Sequence, residues 1–302
     1  MELLLQILWS SIGVLIAVAY GLLTGGIVRK LFARIQGRVG PPVYQGFIDL
    51  GKNFFVRDNI SHGPMFYFGP ALRTAGGVGI FLFIPAIVGW APGENFSFAG
   101  DLLLVMYFMF FGSLGMALGG SAGGHPHTPI GAGRGLSQMT AFEVPFILAV
   151  IALVADTGSF SVHDLTLAQA GGFLEWNLLT HPFAAAAAFI AMLGMNGYAP
   201  FNVVGAPNEI PVGPMTEYQG GFIATLGTGR AIFAIAKMIL FMDLFLGGAT
   251  SILEAFIKVF VIYMWSVAVA AVFPRYRVDQ SMRFFLGWPA LIGVVAVLLA
   301  LF

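Results

Sequence analysis

Five charged side chains interrupt long apolar stretches of this sequence: Glu143, Lys237, Asp243, Glu254 and Lys258. In hydrocarbon such groups are costly, so they normally pair, face a polar interior or line the route of an ion. Glu143 stands alone in its run, where a carboxyl can load and release a proton. Glu254 and Lys258 are spaced i, i+4 in the order that favours a helix, so they are expected to neutralise each other on one face. Lys237 and Asp243 are separated by about 600° of helical rotation, which puts them on different faces and obliges them to find partners on other helices. All five are candidates for ion translocation, with structural ion pairing as the competing reading.

Other chemistry is excluded or disfavoured. The chain has no cysteine, so it cannot ligate an iron–sulfur cluster through thiolates, form a disulfide or use a thiol nucleophile. Any redox centre must sit on another chain. His125 and His127 form an H-P-H pair, but no further ligands cluster nearby and Pro126 restricts their geometry, so no metal site is expected. Leu226–Arg230, L-G-T-G-R, lacks a P-loop lysine and a preceding strand, which gives it no nucleotide function.

The elements that must position the five charges follow from composition. Hydrophobic residues make up 58% of the chain and charged ones 9%, against ~25% charged in soluble domains. Mean hydropathy is +0.89. The 14 basic and 14 acidic residues are too few to clothe a soluble chain of 302 residues. A helix needs about 20 apolar residues to cross a bilayer, and runs of this kind fall roughly at Leu3–Val28, Thr74–Ala91, Leu102–Leu118, Ala141–Ala155, Phe183–Asn196, Ala231–Gly248, Ile252–Phe273 and Phe284–Phe302. The fold class is therefore an all-α integral membrane protein with about eight transmembrane helices, a single polytopic domain across residues 1–302. The N-terminus enters its apolar run with neither a basic region nor a small-residue cleavage pattern, which reads as a retained helix and not a signal peptide.

Basic residues set the orientation. If the loop after the first helix is cytoplasmic, alternate loops place Arg29, Lys30, Arg34, Arg38, Lys52, Arg57, Arg73, Arg134, Arg230, Arg275, Arg277 and Arg283 inside. The opposite loops carry acids such as Glu94, Asp101, Asp156, Asp164 and Glu175. Both termini then face outside. Two cytoplasmic segments, 29–73 and 197–230, exceed what connection requires. Between Pro42 and Arg57 the first has Val43, Phe47, Leu50, Phe54 and Phe55 at helical spacing, which predicts an amphipathic helix at the membrane surface. The second is rich in Gly and Pro and mixes broken helix with loop. No internal repeat of the kind common in secondary transporters is evident.

Three segments carry a family pattern. Ala33–Pro41 reads A-R-I-Q-G-R-V-G-P and is followed by Gln45, Asp49 and Lys52; Pro129–Arg134 reads P-I-G-A-G-R, with Glu143 beyond it in F-E-V-P; Pro200–Gly220 reads P-F-N-V-V-G-A-P-N-E-I-P-V-G-P-M-T-E-Y-Q-G. These resemble, in turn, the complex I subunit 1 signature R-x-Q-x-R-x-G-P, its G-[SA]-x-R segment with an intramembrane Glu, and its P-F-D-x-x-E-A-E-x-E-[LI]-x-x-G-P-x-x-E-Y-S-G. In the quinone-reducing branch several extra residues separate the first G-P from the Gln. The compact spacing here is similar to that of membrane-bound [NiFe] hydrogenases and formate hydrogenlyase. Where the family has acids, this chain has Asn202, Gly205, Pro207 and, just ahead of the motif, Met195; Glu209, Glu217 and Tyr218 stay in register.

The resemblance implies a non-catalytic membrane subunit of an energy-converting oxidoreductase complex, of hydrogenase type. It would dock a peripheral redox module and couple electron transfer to proton or sodium translocation. Glu209, Glu217 and Tyr218 then join the ion-translocation candidates, with a docking surface as the alternative for the two acids. Arg34, Gln36, Arg38, Gln45, Asp49, Lys52 and Arg134 become docking candidates, with snorkelling headgroup anchors as the plainer reading of the charged ones. The implied partners are peripheral iron–sulfur and hydrogenase-like subunits, antiporter-like membrane subunits and the lipid bilayer, with no nucleic acid. Iron–sulfur clusters and a [NiFe] centre would lie on those partners, with no cofactor on this chain. The implied location is the prokaryotic inner (cytoplasmic) membrane. Competing readings are a quinone-reactive complex I type subunit, a sulfur-reducing relative of the complex, and a stand-alone ion transporter.

Overall fold

The computed structural model describes residues 2–57, 62–90, 93–205, 209–210 and 213–302, with side chains from Leu4 onward. Among the described residues the structure is helical, with turns and loops and no strand. In chain order the helices are α1 (Glu2–Ile35), α2 (Gln45–Phe54), α3 (Pro64–Phe83), α4 (Asp101–Ser121), α5 (His127–Thr157), α6 (Val162–Leu167), α7 (Asn177–Thr180), α8 (Pro182–Asn196), α9 (Gly220–Phe245), α10 (Ile252–Val272), α11 (Val278–Leu286) and α12 (Trp288–Leu301). Six stretches of the described residues are long and apolar enough to cross a membrane: Leu4–Ile35, Asp101–Ser121, His127–Thr157, Gly220–Phe245, Ile252–Val272 and Val278–Leu301. Pro182–Asn196 is a shorter apolar helix. The all-α membrane architecture expected from composition is thus present.

Each apolar run lies on a helix, but helix ends obey local backbone chemistry more than hydropathy. The second run was expected over Thr74–Ala91, whereas α3 begins at Pro64 and ends at Phe83; Ala91 is outside the described residues. A proline is pre-set for the first helical turn, and Pro85 disfavours helical backbone at the residue before it. Arg73 is consequently in mid-helix and not at the end of a loop. In the same way α5 and α9 start upstream of their apolar runs and take Arg134 and Arg230 into helix. The last run breaks at Gly287 into an amphipathic α11 and an apolar α12 with Pro near its first turn. The surface helix after α1 is found as α2, whose Phe47, Ile48 and Phe54 stay exposed while Gly46 is buried. A Cβ on Gly26 of α1 would strike the Val43 carbonyl, so glycine admits the segment that leads into α2.

The described residues group into two compact units. The first comprises Met1–Phe81, Met106–Gly135 and Val204–Lys237. In it α3 and α4 approach through glycines: a Cβ on Gly76 would lie 2.7 Å from Gly112 Cα, and one on Gly69 would lie 2.6 Å from Gly119 Cα. Small residues at such crossings provide the van der Waals contact that drives helix association where lipid removes the hydrophobic incentive. Phe66, Tyr218 and Leu226 form a core there, flanked by Met116, Met215 and Phe222.

The second unit comprises Leu82–Val105, Leu136–Val203 and Met238–Phe302. Its α8 buries Ala184, Ala185, Ala187, Ala188 and Ala191 and packs against α12. At the end of α8, Ala141, Leu193, Phe201 and Phe285 close a second core.

Candidate functional site

In the first unit the segment before α9 is tied to α3 by Tyr218. Its ring stacks on Phe66 with centroids 4.2 Å apart, and its hydroxyl donates to the Phe66 carbonyl at 2.9 Å. Pro70 explains why that carbonyl is available. Four residues beyond Phe66, it has no N–H to supply the usual helical bond. Burial pushes the Tyr218 phenol above its ordinary range, so it remains a hydrogen-bond donor.

Glu217, adjacent in sequence, turns inward. Its Oε1 lies 3.3 Å from His62 Nε2, while its buried Oε2 has no hydrogen-bond partner. A Cβ on Gly123 would collide with that oxygen, so the glycine makes room for the carboxyl. Glu209 takes another course. Arg134 on α5 donates to its Oε2 at 2.8 Å, with Glu209 half exposed. The two acids that stay in register with the family motif therefore occupy different environments, one enclosed and one at the surface.

Deeper in the same unit three cations gather. The Arg73 guanidinium lies 4.0 Å from the Phe233 ring centroid and the Lys237 ammonium 5.2 Å from it. Aromatic faces attract cations, and Arg73 also donates long bonds to Gly112 O (3.5 Å) and Ser113 Oγ (3.4 Å) on α4. Electrostatically Arg230 acts on Arg73, and Arg73 on Lys237. Sequence spacing sends Lys237 to another helix for a partner, whereas the ring beside it, Phe233, is one turn earlier on α9 itself, and the charge that α3 brings near, Arg73, has the same sign. Arg73 was missed because it borders an apolar run and reads as a loop residue.

The remaining docking candidates lie along the end of α1 and α2. Gln45 Nε2 donates to Asp49 Oδ1 at 2.7 Å, and Asp49 faces Arg29 of α1 at 3.8 Å. Arg38 donates to Gln36. Arg34, Gln36, Arg38 and Lys52 are exposed, a surface on which charged side chains are available to a partner or to headgroups.

In the second unit Glu143 lies two residues before the α5 proline, Pro145, and is half buried. Glu254 and Lys258 pair at 2.7 Å. Lys258 does more than neutralise its neighbour: its Nζ donates to Leu246 O at 2.8 Å and Gly248 O at 2.7 Å, and sits 4.4 Å from the Trp176 ring centroid. Asp243 is fully buried, with no hydrogen-bond partner on either carboxyl oxygen. Gln169 braces the region by donating to Asp243 O at 2.8 Å and accepting from Gly247 N at 3.0 Å. Nothing in the spacing of Gln169, Trp176 or Asp101 marks them as neighbours of α9.

The family model described as NADH dehydrogenase matches residues 7–301. An NADH-quinone oxidoreductase subunit of Neisseria meningitidis serogroup C (strain 053442) is 29% identical over 299 residues, spanning 88% of this chain and 80% of that protein. The NADH-quinone oxidoreductase subunit of the same name in Protochlamydia amoebophila (strain UWE25) is 30% identical over 290 residues, spanning 88% and 86%. Among solved structures, a chain of the membrane-bound sulfane sulfur reductase, an archaeal respiratory membrane complex, superposes with a TM-score of 0.90 at 31% identity, covering 98% of this chain and 99% of that one.

Proposed function

Because the chain belongs to the NADH dehydrogenase family, we propose that it is the membrane subunit of a respiratory complex, holding a soluble redox module and coupling its electron transfer to proton or sodium movement. The observation that carries this reading is the near end-to-end superposition, 98% against 99%, on a chain of a respiratory membrane complex. The lack of cysteine supports it, since electrons must reach such a subunit's neighbours and not the subunit itself. Docking falls to the exposed Arg34, Gln36, Arg38 and Lys52, to Gln45 and Asp49 beside them, and to the Arg134–Glu209 pair. Mixed charges of this kind set register and orientation at an interface. The cytoplasmic placement of these segments, with both termini outside, belongs to the same proposal.

Ion movement falls to the intramembrane charges, Glu143 first, with Glu217 and Tyr218 at the loop end of the first unit. The compact first motif favours a complex of hydrogenase type over a quinone-reactive one. A sulfur-reducing complex is the second reading, favoured by the superposition on the reductase chain. Affinity purification from native membranes tests the whole. Copurification of iron–sulfur subunits and antiporter-like subunits is expected. Nickel in the purified complex with hydrogen evolution selects the first acceptor, and sulfane-sulfur reduction without nickel selects the second. A chain that purifies alone and transports ions alone refutes the proposal.

A further inference from the structure

Two buried carboxyls of the second unit differ in their hydrogen bonding. Asp101 accepts from Ser97 Oγ at 2.5 Å, Val162 N at 2.7 Å and Phe98 N at 3.3 Å. Asp243, equally buried, accepts nothing. A carboxylate enclosed without donors or a counter-ion is strongly disfavoured, so the group must either carry a proton or acquire a cation. The available cation is Lys258. A Cβ on Gly248 would lie 3.5 Å from Asp243 Oδ1, and the Gly248 carbonyl is the one that receives Lys258 Nζ at 2.7 Å. The turn between α9 and α10 thus stands between carboxyl and ammonium, with left-handed backbone at Gly247 (φ 66°) and Gly248 (φ 62°). In the observed arrangement the ammonium rests on two carbonyls and on Glu254, which is 35% exposed against 13% for Lys258.

We propose that Asp243 is a proton-binding site that exchanges its proton with Glu254, the Lys258 ammonium passing between the two carboxyls. On this proposal Asp243 is a neutral acid while Lys258 pairs with the Glu254 carboxylate at 2.7 Å. In the exchange the O–H bond of Asp243 breaks and an O–H bond forms on Glu254, while the ammonium turns from Glu254 to the new Asp243 carboxylate. Total charge is unchanged, and the partly exposed Glu254 then releases the proton to water. Asp101 and Lys258 are the charges that act directly on Asp243. Glu254 on α10 pairs with Lys258, and His163, next in sequence to the Val162 that donates to Asp101, faces Glu94 at 3.9 Å and Asp164 at 4.0 Å.

As a step in ion movement this site rests on the function proposed above, but its proton occupancy is measured without turnover. The experiment is infrared difference spectroscopy of the purified complex carrying isotope-labelled aspartate, across a pH series in light and heavy water. The expected result is a protonated-carboxyl C=O band that shifts with the label and exchanges with deuterium. It should be lost in Asp243→Asn and kept in Glu143→Gln. In Lys258→Met the band should persist at alkaline pH where the unmodified complex has lost it, since no ammonium is left to stabilise the carboxylate. If Asp243→Asn fails to assemble, the Lys258→Met comparison decides. Absence of the labelled band at every pH, or a Lys258→Met series identical to the parent, overturns the proposal and leaves a fixed ion pair. Those results are distinct from failure of the proposed function, which is read from what copurifies.

Discussion

Replacing Tyr218 by Phe keeps the ring that stacks on Phe66 and deletes only the hydroxyl that donates to the Phe66 carbonyl. Tyr218 is 2% exposed and Phe66 1%, so water cannot readily replace the lost donor, and Pro70 cannot either. Leaving a buried carbonyl unpaired costs ~1–3 kcal/mol, or about 5- to 140-fold in the folding equilibrium. With about 2–4 °C per kcal/mol for chains somewhat shorter than this one, the melting temperature in detergent should fall by roughly 2–12 °C. The diagnostic step is Pro70→Ala, which restores an N–H to the Phe66 carbonyl. In that background Tyr218→Phe should cost markedly less, a coupling of ~1 kcal/mol or more in the double-mutant cycle. The phenol adds a pH signature. Its folded-state value is raised by burial, so its contribution is complete below the ordinary tyrosine value of about 10 and is lost as pH rises above it. Melting temperature against pH should fall less steeply in that alkaline range for the Phe variant. Equal losses in both proline backgrounds would show that Pro70 is not what exposes the carbonyl.

Glu143→Gln should abolish ion movement in vesicles while leaving the complex assembled and electron transfer to a soluble acceptor largely intact; normal ion movement would make Glu143 structural. Reversing Arg34 and Arg38 to Glu should release the peripheral subunits, since truncating a desolvated interfacial charge typically costs ~2–5 kcal/mol. Blue-native electrophoresis with metal analysis reads this, and an intact, iron-replete band would identify both arginines as headgroup anchors. A single cysteine placed at Gln45 should react with an impermeant thiol reagent only from the cytoplasmic side; labelling from outside alone would invert the topology.

Helix existence was more legible in the sequence than helix ends. Hydropathy located the core of every long helix because it is a sum over neighbouring residues, and α2 was visible because its apolar residues repeat at a helical period. The boundaries moved where single prolines and glycines outweighed that sum, at Pro64, Pro85 and Gly287. The family carboxylates replaced at Met195, Asn202 and Gly205 were readable as substitutions at known register; Pro207 lies outside the described residues.

Composition and local spacing alone determined that this chain is a helical membrane protein with no thiolate-ligated redox centre, and that Glu254 and Lys258 are about one helical turn apart. Tertiary structure decided the partners. Tyr218 meets a carbonyl 152 residues away, Arg73 and Lys237 approach one aromatic ring, Glu217 turns to His62, and Asp243 is buried without a donor beside the turn that holds Lys258. Helical propensity and hydropathy are properties of contiguous residues, so one sequence carries them openly. A buried charge is defined by whatever distant segments pack around it, and that packing is settled only when glycine-lined helices close on one another.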